Sequence, residues 1–110
     1  MLVRPSITIE NRGIGNIENP VITVGGIPVS VDIGMEIIPS VNVLREDGIT
    51  PVEDVKVDFF VSDSDGVSLI GDRVLTDASG DVVAAEGYYV SSVEAGQNIN
   101  FVVVTRRKIV

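Results

Sequence analysis

The 110-residue chain contains no cysteine, no histidine and no tryptophan, and its aromatics are three phenylalanines and two tyrosines. Without cysteine there is no disulfide and no thiolate chemistry. Without cysteine or histidine the common nucleophile–base pairs of covalent catalysis are missing, and the chain reads as a non-enzyme with no cofactor. Sugar-stacking platforms favour Trp and Tyr, so a carbohydrate-binding accessory domain is weakly supported. Leucine and alanine, strong helix formers, together occur 8 times, and no long stretch carries helical periodicity. No window is apolar enough to span a membrane. The opening "MLVRPSITIENRG" lacks the apolar stretch and small-residue cleavage site of a signal peptide. With Met1 taken as the natural start, the protein is expected to be made and first used in the cytoplasm.

What the chain has instead is valine, 21 times, and isoleucine, 13 times. β-Branched side chains fit a pleated, half-buried surface and lose rotamer freedom in a helix. With 11 glycines and 5 prolines to supply turns, the composition predicts an all-β protein of one domain. The net charge of −8 argues against free nucleic acid as a partner, because phosphate binding needs a basic surface. Charge is unevenly placed. Glu46 to Glu94 holds twelve acids against Lys56 and Arg73, whereas Arg106, Arg107 and Lys108 close the chain with no acid nearby. That basic end reads as a solubilising tail or as a surface for an acidic partner.

Along the chain, residues 1–20 read as an N-terminal arm or extra strand. Ser6, Ile7, Thr8 and Ile9 alternate as a strand would, and a Gly/Asn-rich loop follows. Residues 21–110 read as the body. Gly25-Gly26 between Val21–Val24 and Ile27–Ile33 signals a two-residue hairpin. Glu36–Asp47 reads as one strand with Val41 and Val43 on one face. "DGITP" (Asp47–Pro51) is a turn. In "VKVDFFV", Val55, Val57, Phe59 and Val61 share one face, with Lys56, Asp58 and the out-of-phase Phe60 on the other. Ser62–Gly66 turns the chain into two short strands, and "DASGD" (Asp77–Asp81) is a tight turn. Val82–Val93 reads as a strand bulged at Gly87. The last strand puts Ile99, Phe101 and Val103 on one face. Turns recurring between short strands suggest a sandwich or barrel.

Two features invite a chemical reading. Asp63 and Asp65 in one loop, and Asp77 and Asp81 in another, offer oxygen ligands of the kind Ca²⁺ takes. The EF-hand spacing is absent, however, and both stretches are good plain turns. Tyr88 and Tyr89 are adjacent on a strand, so one is expected inside and the other outside. An exposed Tyr89 could anchor an interface, as could Phe60.

Three stretches in order, "VLREDGITPVEDVKVDFFVSDSDG", "VLTDASGDVVA" and "EAGQNINFVVV", resemble the bacterial immunoglobulin-like repeats of the invasin and intimin type. Those repeats run through a D-x-x-G-x-P-V turn, a V-x-V-x-F strand, a T-D-small-Gly turn and a final strand. The likeness covers Val41–Val104. "AAEGYYVSSV" is longer than the family shows at that place, and the first 35 residues match nothing in it. The resemblance implies an immunoglobulin-like antiparallel β-sandwich carrying an N-terminal extended arm. It implies a rod, spacer or adhesive module, as on cell surfaces and phage virions. Two functions are therefore expected. The first is a bacteriophage capsid decoration (cement) or other virion structural protein, assembled in the host cytoplasm, docking on a capsid or other virion protein through its arm and sheet edge. The second is an immunoglobulin-like repeat of a bacterial surface adhesin. Neither calls for nucleic acid or membrane insertion, and homo-oligomerisation stays open. The interface candidates are Ser6, Ile7, Thr8, Ile9, Phe60, Tyr89, Arg106, Arg107 and Lys108.

Overall fold

The computed structural model describes residues 2–3, 5–11, 20–63, 66–90 and 99–107. Among these residues there is no helix, and the strands are β1 (Leu2–Val3), β2 (Ser6–Asn11), β3 (Val21–Gly25), β4 (Val31–Asp32), β5 (Glu36–Ile37), β6 (Ser40–Leu44), β7 (Val55–Asp63), β8 (Gly66–Leu69), β9 (Val74–Leu75), β10 (Asp81–Val83), β11 (Tyr88–Tyr89) and β12 (Asn100–Arg107). One sheet runs β10-β6-β3, and a five-stranded sheet runs β2-β12-β7-β8 with β9 also on β7. Two ribbons, β1-β4 and β11-β5, complete the set.

β7 is the organising strand. Val55, Val57, Phe59 and Val61 are all buried, and they meet Val41 and Val43 of β6, Val82 of β10, and Phe101 and Val103 of β12 in one apolar core. The alternation in β7 fixes this register, because a one-residue slip would drive Lys56 and Asp58 into that core. Tight turns close the ends. In the Asp47 turn, the Asp47 carboxylate accepts from the Ile49 and Thr50 N–H groups, both at 2.8 Å. In the "DASGD" turn, Asp77 Oδ1 accepts from the Ser79 and Asp81 N–H groups at 2.9 and 3.0 Å. Gly80 takes φ +78°, and a Cβ there would lie 2.4 Å from the Val43 carbonyl oxygen, so only glycine fits.

Four expectations need correction. The Gly25-Gly26 pair does not make a hairpin. β3 pairs antiparallel with β6, Val21 opposite Leu44 and Gly25 opposite Ser40, which packs Ile22 and Val24 against the core. The following segment has Pro28 with no N–H to offer a ladder and leaves Val29 87% exposed, so Gly26 serves instead as a close crossing under Ile38. Glu36–Asp47 is not one strand, because Pro39 divides β5 from β6. Val82–Val90 is not continuous either. β10 ends at Val83, because the next residue in register, Ala84, donates to the Pro39 carbonyl at 2.9 Å while Pro39 has no N–H to return. Finally, the sheets are not wholly antiparallel. β2 lies parallel to β12, Ser6 opposite Asn100 through Asn11 opposite Thr105. No tight turn joins these two, which stand at opposite ends of the chain, so nothing local imposes an antiparallel sense.

Candidate docking surface

The outward face of the five-stranded sheet is built from the residues that alternate away from the core. Register alone lines them up. Thr8, Val102, Phe60 and Leu69 form one row across β2, β12, β7 and β8. Ser6, Asn100, Ser62 and Val67 form the next. Phe60 is thus flanked by apolar neighbours on an outer face, with Leu69 49% and Val67 68% exposed. The hydroxyls of Ser6 and Thr8 both donate to Asn100 Oδ1, at 3.0 and 3.2 Å, so β2 is pinned to its neighbour by side chains as well as backbone.

Toward the other end of β7 the face turns polar. Glu10, Val104 and Asp58 share a row, and Arg106, Lys56 and Leu75 share the one beyond. Asp58 is buried, although it points away from the core. Arg73 covers it with a two-pronged contact, Nε to Oδ1 at 2.9 Å and Nη2 to Oδ2 at 2.7 Å. That hydrogen-bonded guanidinium, seconded by the charges of Arg106 and Lys56, holds the Asp58 carboxyl below the usual carboxylate range despite its burial. The same contact raises Arg73.

The sequence-derived candidates separate on this frame. Ser6, Thr8 and Phe60 lie on the outer face, and so does Arg106. Ile7 and Ile9 lie on the core side of β2 at the sheet rim, 43% and 42% exposed. Arg107 stands opposite Val55, and Lys108 lies outside the described residues. Tyr89 is not on this face. It belongs to the β11–β5 ribbon, 65% exposed, where a hydrogen bond from its hydroxyl to Glu36 pushes its pKa up. Beside it is a shallow depression of about 460 Å³ bounded by Glu36, Ile38, Glu86 and Gly87. Tyr88 faces inward as expected of one of the pair, with its ring edge-on to Phe101, centroids 5.7 Å apart. Its hydroxyl donates to Asp63 at 3.0 Å.

The acids considered for Ca²⁺ are not brought together. Asp77 follows Thr76, which bonds to the start of β7 at Val55, whereas Asp63 ends that strand. Nine residues of strand, at roughly 3.3 Å each, separate the two. Asp77 is taken up by its own turn, and Asp81 Oδ1 accepts from Asn42 Nδ2 at 2.8 Å. Asp65 lies outside the described residues, and among those described no group of three or more acids is placed to hold a metal ion.

Sequence reasoning singled out Phe60 but missed its neighbours Val67, Leu69 and Val102. The signal was present in the alternation of "GVSLI", but it needs the β7–β8 register to be read. The chain matches no protein-family model, no curated protein and no solved structure.

Proposed function

We propose that this chain is a non-enzymatic docking module, an immunoglobulin-like β-sandwich that decorates or cements a bacteriophage capsid or another virion protein. It docks with the outer face of the five-stranded sheet, β2 forming that sheet's margin. The observation carrying this reading is the row Thr8–Val102–Phe60–Leu69. It sets an aromatic between two aliphatic side chains on the side of the sheet away from the core, flanked by Lys56, Arg73 and Arg106. Apolar centres with charged rims are the usual anatomy of protein interfaces, and aromatic anchors dominate their energetics. Cations beside that row suit an acidic partner surface.

Co-sedimentation with procapsids tests it. The wild-type chain pellets with the shells, and Phe60→Ser weakens the apparent affinity by about tenfold or more with the fold retained by circular dichroism. Failure of the wild-type chain to bind, or equal binding by Phe60→Ser, overturns the reading.

The adhesin-repeat reading also has support. The three stretches that resemble invasin-type repeats run in order along β6–β7, β9–β10 and β12. It requires similar domains in the same gene, on either side of this one. A gene encoding none would remove it.

A further inference from the structure

Among the described residues, one side of β2 has no strand beside it. The Ser6 N–H donates to the Ile99 carbonyl at 2.9 Å. Because N–H and C=O groups alternate in direction along a strand, Thr8 and Glu10 also turn toward β12, and the backbone groups of Ile7 and Ile9 turn the opposite way. Among the described residues nothing pairs with that side of β2. Edge strands are commonly defended with Pro, Lys or a bulge, and Ser6–Asn11 has none of these.

We infer that this edge joins two copies of the chain, β2 against β2 in antiparallel sense about a two-fold axis at Thr8. The sequence is self-complementary in that register and poorly so in its neighbours. Ile7 faces Ile9 of the second copy, and Ile9 faces its Ile7. Each pair exchanges both backbone hydrogen bonds, as in the narrow pairs of an antiparallel ladder. Side chains directly opposite share a face, so the half-exposed isoleucines cover one another along a continuous core rim. On the outer face Thr8 meets Thr8 of the second copy and Glu10 meets Ser6, so between Ser6 and Glu10 no like charges stand opposite. The next narrow pair would set Asn11 against Pro5, which has no N–H, and the ladder ends there. The interface closes on itself as an isologous dimer rather than propagating into a fibre. Its seam is short, so the dimer is weak and its population depends on concentration. The two outer faces then lie side by side on one sheet.

Sedimentation velocity of the whole chain, without any partner, tests this apart from the docking reading. Between about 5 µM and 500 µM the wild type shifts from monomer to dimer. Ile9→Pro removes an outward N–H while leaving the bonds to β12, and it stays monomeric at the top of the range. Ile7→Lys, which sets a charge at the seam, does the same. Hydrogen exchange needs no variant. The Ile7 and Ile9 amides slow at least tenfold at high concentration, while the Thr8 amide is protected throughout. A wild type monomeric across the range, a dimer untouched by Ile9→Pro and Ile7→Lys, or Ile7 and Ile9 exchange independent of concentration would each overturn the inference.

Discussion

Thr76 shows how one hydroxyl can fix a joint between elements. It is buried, its Oγ1 accepts from the Val55 N–H at 2.9 Å, and it donates to the Val52 carbonyl at 2.7 Å. Thr76→Val keeps the shape and strands both backbone groups. Each such loss costs roughly 1–3 kcal/mol, so the expected destabilisation is about 2–4 kcal/mol, read by urea unfolding. Thr76→Ser recovers most of it. Asp47 makes a different kind of residue-scale claim. The Thr50 hydroxyl, then the Thr50 and Ile49 N–H groups, lower its pKa from 3.8 to about 2. A depressed carboxylate stabilises the fold above its unfolded pKa, and that contribution is lost as pH falls from about 4 through about 2. An NMR titration of the Asp47 carboxyl should place its midpoint near 2, and Thr50→Val should move it up toward 3.8. A midpoint unchanged by the substitution would show that the hydroxyl is not the cause.

At the scale of elements, what could be read in advance was whatever one strand encodes by itself. β7 and β12 carry their own alternation, so their inner faces, Val55–Val61 and Ile99–Val103, follow from period two. The Asp47 and Asp77 turns follow from Asx chemistry within five residues. Pairing partners do not follow, because they depend on which distant strand buries more apolar surface. Gly25-Gly26 has the local look of a hairpin, yet the long-range pairing of β3 with β6 wins. The alternation of β7 places Asp58 on the outer face but does not reveal its burial, since its cover, Arg73, comes fifteen residues later by a route that only the fold shows. The exposed neighbours of Phe60 were hidden for the same reason. β2 is the clearest case. An extended N-terminal segment can be a free arm or a strand of its own sheet, and only the pairing with β12 separates these. That pairing makes a prediction about truncation. Removing residues 1–11 uncovers the β12 backbone at Phe101 and Val103 and takes away a strand in register over six pairs. At a net gain of roughly 1 kcal/mol per hydrogen bond, and about one bond per pair, the body should lose on the order of 6 kcal/mol. It should also self-associate through the bared edge, which light scattering during thermal unfolding would report. Unchanged stability on truncation would mean that β2 adds little to the sheet.

At the scale of the whole molecule, charge separates the two surfaces that β2 borders. Each copy carries a net −8, and the proposed dimer brings two such bodies edge to edge. Self-repulsion acts over the Debye length, about 30 Å at 10 mM salt and about 8 Å at 150 mM. Raising salt across that range should therefore tighten the dimer several-fold. The outer face behaves in the opposite sense. Lys56, Arg73 and Arg106 gather there around Asp58 and Glu10, so attachment to an acidic partner is an attraction that salt weakens. Sedimentation of the chain alone and co-sedimentation with shells, repeated at both salt concentrations, should thus move in opposite directions. Dimerisation and docking would also reinforce each other, because two linked copies present two faces to a shell that repeats its sites, and the second attachment gains from effective concentration. Ile9→Pro should then weaken shell binding even though its outer face is intact, and the loss should be greatest on assembled shells and least on isolated shell subunits. Equal loss on both would mean that the edge contacts the shell protein itself.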